Sequence, residues 1–530
     1  MNDTSKKTLE LLFKQVLQLD DATITEALNP IFTGEWMHND LLSTKEKAMV
    51  GGLLKRLSTI DEASIKAALS LKNTNAPAFE YTADLSDIKP EKLDLTRALL
   101  LLSSYLFYQQ FHFPQAQVGE YNIANDRFEK VKWLYRYWFN QLEVPEKDTN
   151  LVQHFREQDL DFTLEDFRVE QTVTLSSAGD LLAVDILTPD NTTHLFDNIQ
   201  DFYSSADIVC ANLETTVDAT KPFGRTQLKG QPAKMNTSVE MFQKFHKEGG
   251  INYFSTANNH SLDWGEEGLF ATLDVLENEG AYYAGTNRSL EQQEDVCIIE
   301  QNGIKIAMLS YTFDLNGNDI PDGKTYLVNE VPFNDEHCDL TMIIKHVARA
   351  KEKGADIIVA CCHWGWEFEM YPHNNVMEIA KKIIASGVDV ILGNHPHVSQ
   401  PLERISAIND VQIPNGLIVY AYGDFVSYHP ESRNSKIAYV TKFDIVKGHV
   451  VSSGMPETRI TNLKLLPIYI VNEEKNDGSF DCRIVKFNEV LNNPDKYGLT
   501  HLERTQLPHL NDVVLHEILL PKQHANLLAK

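Results

Sequence analysis

The sequence predicts an α/β fold preceded by an all-helical N-terminal segment. Three observations carry that expectation. Up to about residue 165, apolar residues recur at helical spacing. From about residue 170, short β-rich apolar runs alternate with helical patterns, the pattern of a sheet covered by helices. From about residue 436 the pattern turns to β runs.

Taken in order, Leu9, Leu11, Leu12, Val16 and Leu17 make one amphipathic stripe. Residues 49–71, 93–111 and 126–142 repeat that spacing, with Asn125 or Asp126 placed to cap the last. Residues 72–89 read as a loop, and Trp133, Tyr135, Tyr137, Trp138 and Phe139 as packing groups. In the α/β part, strands are expected at 172–178, 207–211, 253–257, 296–300, 304–312, 356–362, 388–392 and 416–422. Helices are expected at 193–205, 238–248, 266–279, 340–353 and 375–386. Asn302-Gly303 marks a hairpin, because both residues tolerate positive φ. Runs 437–446 and 460–471 are β-like, and the last sixty residues carry no clear pattern. The expected domains are 1–165, helical and of unassigned role, then 166–470, then a C-terminal extension over 471–530.

Composition narrows the partners. Of 530 residues, 43% are hydrophobic and 23% charged, an ordinary globular mix that supplies a sizeable core. The formal net charge of −27 disfavours nucleic acid and anionic membranes, which bind clustered Lys and Arg. It permits a small anionic substrate, because a metal supplies local positive charge. The opening MNDTSKKTLELLFKQVLQLD has no continuous apolar core and is not expected to be a signal peptide. The apolar stretch near 98–107 is too short for a membrane span of about 20 residues. Six scattered cysteines without a CxxC pair read as reduced thiols, and a cytoplasmic location is expected. Oligomeric state is not readable.

The chemistry lies just past the expected strand ends, where open α/β sheets place their sites. The ends carry Gly179-Asp180, Asn212-Leu213-Glu214, Asn258-Asn259-His260-Ser261-Leu262-Asp263, His363-Trp364-Gly365, Gly393-Asn394-His395-Pro396-His397 and Gly423-Asp424-Phe425. Each alone is weak, since Gly-Asp is commonly a turn and a lone His beside Trp is commonly a satisfied core histidine. Together they bring two carboxylates, Asn amides and four imidazoles to one edge. Asp180 and Glu214 side by side without a cation would be costly. Mixed imidazole and carboxylate donors suit Mn, Zn, Fe or Ni. The set exceeds what one tetrahedral ion needs, and two divalent ions would use it. The expected reaction is metal-assisted hydrolysis of a phosphoester. Asp424 either adds a carboxylate or caps a turn. The Lys221, Arg225, Lys229 and Lys234 loop either receives an anionic group or is simply solvated. His373 reads as a surface residue.

The order of these motifs resembles the poly-γ-glutamate capsule synthesis (CapA) family of bacteria, within the calcineurin-like metallophosphoesterase superfamily, over roughly residues 170–445. That resemblance implies a four-layer α/β/β/α sandwich. It implies that Asp180 and His397 hold one metal, that Asn259, His363 and His395 hold a second, and that Glu214 bridges them. It implies His260 as general acid or hydrogen-bond donor, oriented by Asp263. Read from the residues alone, Arg225, Lys229 and Asp424 are the weaker candidates for substrate binding. The superfamily's opening Asp-x-His is here Asp180-Leu181-Leu182, without a histidine. Three functions follow: a phosphoesterase-like hydrolase, a component that makes or processes a capsule polymer of γ-linked glutamate, or a non-catalytic binding protein.

Overall fold

A computed structural model describes residues 100, 103–104, 107–121, 123, 126–227, 233–430, 432–475 and 477–529. The predicted stripe at Leu9–Leu17, the predicted helix at 49–71 and the loop at 72–89 lie outside the described residues, as does Lys229. The chain divides into two compact units. The first comprises Met1–Gln115, Ile123–Leu142 and Lys229–Gln231. Its described part contains helices Tyr108–His112 and Arg127–Trp138. Asp126 caps the second helix by accepting from the backbone N–H of Phe128 and Glu129. Trp133 stacks on Tyr137, and Phe111 meets Tyr135 edge-on, so these aromatics pack against each other.

The second unit carries all nineteen strands found among the described residues. They are β1 (Phe167–Leu181), β2 (Ile208–Asn212), β3 (Thr216–Val217), β4 (Gly224–Gln227), β5 (Ala233–Thr237), β6 (Tyr253–Ser255) and β7 (Tyr282–Ala284). Next come β8 (Cys297–Gln301), β9 (Ile304–Thr312), β10 (Ile357–His363), β11 (Val390–Asn394), β12 (Leu402–Arg404), β13 (Ala407–Ile408) and β14 (Val411–Gln412). Last are β15 (Leu417–Val419), β16 (Asp424–Val426), β17 (Ile437–Val450), β18 (Pro456–Glu474) and β19 (Phe480–Lys486).

An eight-stranded sheet runs β19-β18-β17-β1-β2-β6-β7, with β16 also paired to β1. A six-stranded sheet runs β12-β15-β11-β10-β9-β8. In the first, β1, β2, β6 and β7 are parallel, and so are β9, β10, β11 and β15 in the second. Parallel strands are buried on both faces, which is why β2, β10 and β11 read as unbroken apolar runs and are buried at every position. The core includes Phe196, Tyr203, Phe242, Phe254, Leu273 and Phe425, each 1% exposed or less.

Helix Gly265–Glu279 ends on a left-handed Gly280, and helix Asn374–Ser386 on a left-handed Gly387. Asn302 and Gly303, at φ 49° and 76°, make the expected hairpin between β8 and β9. The expected helix at 193–205 is instead a short 3₁₀ helix, Pro189–Thr192, followed by successive turns. The last sixty residues add β19 to the sheet edge, then helices Phe487–Asn492 and His501–His509, the latter closed by a Thr500–Glu503 capping box. Among the described residues, no helix is long and apolar enough to cross a membrane. Of the six thiols, Cys210, Cys361, Cys362 and Cys482 are buried, and all are free.

Candidate metal centre

Between β15 and β16 the chain passes from the six-stranded sheet to the eight-stranded one, and this crossing runs against two glycines. A Cβ at Gly179 would lie 1.8 Å from the Gly423 carbonyl oxygen, and one at Gly393 2.0 Å from that of Tyr420. Glycine therefore precedes Asp180 and Asn394 because the crossing backbone occupies the space of a side chain. The result brings β1, β11 and β16 ends together, with Asp424 the parallel cross-strand partner of Asp180.

Asp180 follows a register shift between β1 and β2, and its Oδ1 accepts from Asn212 Nδ2 at 2.8 Å. Two residues past Asn212, Glu214 is fully buried and neither carboxylate oxygen accepts a hydrogen bond. Around its Oε1 stand His363 Nε2 at 3.5 Å, His397 Nε2 at 3.7 Å and His260 Nε2 at 4.0 Å. The turn after β6 is fixed by Asn258, whose Nδ2 donates to the Leu213 carbonyl at 2.7 Å and whose Oδ1 accepts from the His260 N–H at 3.1 Å. That turn delivers Asn259 Oδ1 to 3.0 Å from His363 Nε2, which is also 3.2 Å from His395 Nδ1. His395 and His397 hold φ of 103° and 54°, a conformation L side chains adopt at a cost. The His395 N–H donates to Asp180 Oδ2 at 3.3 Å.

His260 Nδ1 is 2.7 Å from Asp263 Oδ2, an oxygen that also accepts from the Met235 N–H at 2.6 Å. The pairing leaves Nε2 facing Glu214. His397 Nδ1 is 2.8 Å from Asp424 Oδ1, so its Nε2 likewise faces Glu214. Asp424 Oδ2 accepts from Ser427 Oγ at 2.7 Å.

Electrostatics separates these groups. Burial pushes Asp180 well above the carboxylate range, and the Glu214 charge adds to it. Burial pushes Glu214 up to about 7 against the pull of His397 and His260. Burial holds His363 and His395 well below the usual imidazole range, and neighbouring imidazoles add to the effect. These two rings are neutral, with lone pairs to offer. Burial also lowers His260 and His397, but Asp263 outweighs it at the first and Glu214 and Asp424 at the second, so both rise. Burial raises Asp424, but His429 and His397 outweigh it and hold the carboxyl low.

A cation fits this donor set. Glu214 presents two buried oxygens that accept no hydrogen bond, and its nearest imidazole, His363, is neutral, a costly arrangement alone. The distances of 3.0, 3.2 and 3.5 Å from His363 Nε2 to Asn259 Oδ1, His395 Nδ1 and Glu214 Oε1 bracket the roughly 3.4 Å ligand spacing of a tetrahedral ion with bonds near 2.1 Å. One ligand atom each from Glu214, His363 and His395 lies within 4.8 Å of the others, and the same holds for Asp180, Glu214 and His397.

The structure thus brings together Asp180, Glu214, Asn259, His260, Asp263, His363, His395, His397 and Asp424. Arg225, on β4, lies 3.4 Å from Asp185, and its charge reaches His429. Lys221 pairs with Glu267, and Lys234 lies over the Trp264 ring. Sequence reasoning placed Asn212 in a strand-end motif without giving it a role, and missed Glu367, whose charge acts on Glu214 and His397, and His429, 3.5 Å from Asp424. Of the two missed residues, Glu367 had a visible signal, lying four residues after His363 in His363-Trp364-Gly365-Trp366-Glu367. His373, expected at the surface, is buried between Glu146 at 3.1 Å and Glu369 at 2.7 Å and stacked on Trp366.

Fold and site define a mixed α/β protein with a buried imidazole–carboxylate centre at its strand ends. Residues 174–429 match the family described as bacterial capsule synthesis protein PGA_cap. It is 24% identical over 323 residues to the capsule biosynthesis protein CapA of Bacillus anthracis, covering 55% of this chain and 73% of the relative. It is 25% identical over 273 residues to the PGA biosynthesis protein CapA of Bacillus subtilis, covering 51% and 65%. A probable polyglutamine synthesis accessory protein of Mycobacterium tuberculosis is 22% identical over 274 residues, covering 49% and 68%.

Proposed function

We propose that this chain is a metal-dependent hydrolase of the metallophosphoesterase type, acting on a phosphoester in a small-molecule or anionic polymer substrate. The two sheets would form the inner layers of a four-layer α/β/β/α sandwich. The observation that carries the reading is Glu214, buried with both oxygens unpartnered among three imidazoles. Asp180, Glu214 and His397 would hold one divalent ion, and Glu214, Asn259, His363 and His395 a second. Bound ions of Mn, Zn, Fe or Ni would supply positive charge at the ester and lower the pKa of an attacking water. His260, charged by Asp263, holds a proton at Nε2 for the leaving oxygen. Arg225 and Lys229 are the weaker candidates for receiving anionic groups of the substrate.

Purified protein is expected to carry transition metal and to cleave an aryl phosphodiester with added Mn. His260→Ala should lower kcat/KM about 10²–10⁴-fold. Metal-free protein with no turnover in added Mn would sink the reading and leave a binding protein. The names of the relatives favour one refinement, that the substrate belongs to capsule or polyglutamate synthesis. Turnover of oligo-γ-glutamate against a phosphodiester panel decides between polymer and ester.

A further inference from the structure

The Asp180 side of the centre contains an imidazole that none of the strand-end motifs supplies. Two residues past Asp180, where an Asp-x-His pair would put its histidine, stands Leu182. It is 3% exposed and packs with Val184 and Met235 in a separate apolar cluster, so this position offers no donor. The opposite flank is rich in donors. Asp424 is the parallel cross-strand partner of Asp180, and both are 1% exposed or less. His397 Nδ1 lies 2.8 Å from Asp424 Oδ1 and 3.6 Å from Asp180 Oδ2. His429, 8% exposed, places Nε2 3.5 Å from Asp424 Oδ2. One ligand atom each from His397, Asp424 and His429 lies within 4.8 Å of the others. His397 belongs to this trio and to the Asp180–Glu214–His397 trio alike. Two ligands facing each other across an ion with bonds near 2.1 Å are roughly 4.2 Å apart, and the His397–Asp424, His429–Asp424, His397–Asp180 and His397–Glu214 separations of 2.8, 3.5, 3.6 and 3.7 Å fall inside that span. The Phe368 ring lies 6.2 Å from both the His397 and His429 rings, giving the cluster an aromatic wall.

We propose that Asp424 and His429 are ligands of the ion on the Asp180–His397 side, with His429 supplying the imidazole that Leu182 does not. This rests on the reading of the centre as a metal site. Two carboxylates in register on neighbouring buried strands are costly without a cation, and an imidazole–carboxylate donor set selects a borderline transition ion over Ca or Mg. The competing role is that Asp424 only orients His397, and His429 only partners Asp424.

The full chain, stripped of metal, is titrated with Co(II) and with Mn(II), reading bound metal by equilibrium dialysis and the Co(II) visible spectrum. Wild type is expected to bind two ions per chain. His429→Gln and His429→Ala, each checked for an unchanged fold by circular dichroism, are expected to lose one ion, or to bind it at least about 100-fold more weakly with an altered spectrum. An orienting residue instead weakens binding roughly 10–100-fold and leaves the spectrum of the saturated site in place. That result overturns the proposal, as does unchanged affinity and stoichiometry in either folded variant. A wild type that binds one ion, unaffected by His429→Gln, also overturns it while leaving the metal reading intact. A wild type that binds none removes the metal reading itself.

Discussion

Glu214 is a carboxylate whose surroundings suit it only when a cation is near. In metal-free protein, burial pushes its pKa up to about 7, above the usual 4.5. A folded-state pKa raised in this way contributes stability below pH 4.5 that is lost as pH rises through about 7. Glu214→Gln should therefore stabilise metal-free protein at pH 8 by about 3 kcal/mol and leave it little changed at pH 4.5. The same variant should abolish stabilisation by added Mn. Urea midpoints with chelator and with Mn check both halves, and a destabilised Gln variant in chelator would refute the first. At this scale the sequence was most readable where donors crowd together. Asn259, His260 and Asp263 share one short turn, so their grouping shows in the string of letters. His429 lies five residues past Asp424 in an irregular stretch, where no periodicity says which way a side chain turns.

At the scale of elements, strand positions followed from apolar runs, because a parallel strand buried on both faces has little choice of composition. The segment 193–205 did not follow. Leu195, Phe196, Ile199 and Tyr203 have helical spacing and are all buried. Here hydroxyls and an amide compete for the backbone: Thr192 donates to the Thr188 carbonyl, Thr193 to that of Asp190, Asn191 to that of Ile186 and Ser205 to that of Asp201. Such bonds favour successive turns over a continuous helix. The glycines of the Gly-Asp and Gly-Asn pairs were visible, but their reason was not, since it lies in a chain segment about 30 to 240 residues away. Gly179→Ala forces a Cβ onto the Gly423 carbonyl and should cost about 3 kcal/mol, read as a lower urea midpoint at constant m. A midpoint within error of wild type would show the crossing to be loose. His373 gives a pH test. Burial alone would lower it, but Glu369 and Glu146 raise it to about 9. Its stabilisation is complete below pH 6.5 and declines as pH rises through about 9. The stability difference between wild type and His373→Gln should shrink by about 3 kcal/mol over that window. A difference flat with pH would mean that the ring is neutral throughout.

At the scale of the whole molecule, the net charge of −27 sets how a polyanion approaches. Screening over about 10 Å at 0.1 M salt weakens that repulsion, so kcat/KM for a long anionic polymer should rise several-fold from 20 to 200 mM salt. Turnover of a small aryl phosphodiester should change little over the same range. A polymer rate that falls with salt would instead reveal a dominant basic track.

The crossing between β15 and β16 has one more consequence. Asp180, Glu214 and Asn259 arrive from the eight-stranded sheet, whereas His363, His395 and His397 arrive from the six-stranded one. An ion held by both sets would act as a rivet between two sheets. A chelator would then loosen a seam through the body of the protein, and amides on both β1 and β11 should exchange faster together when the metal leaves.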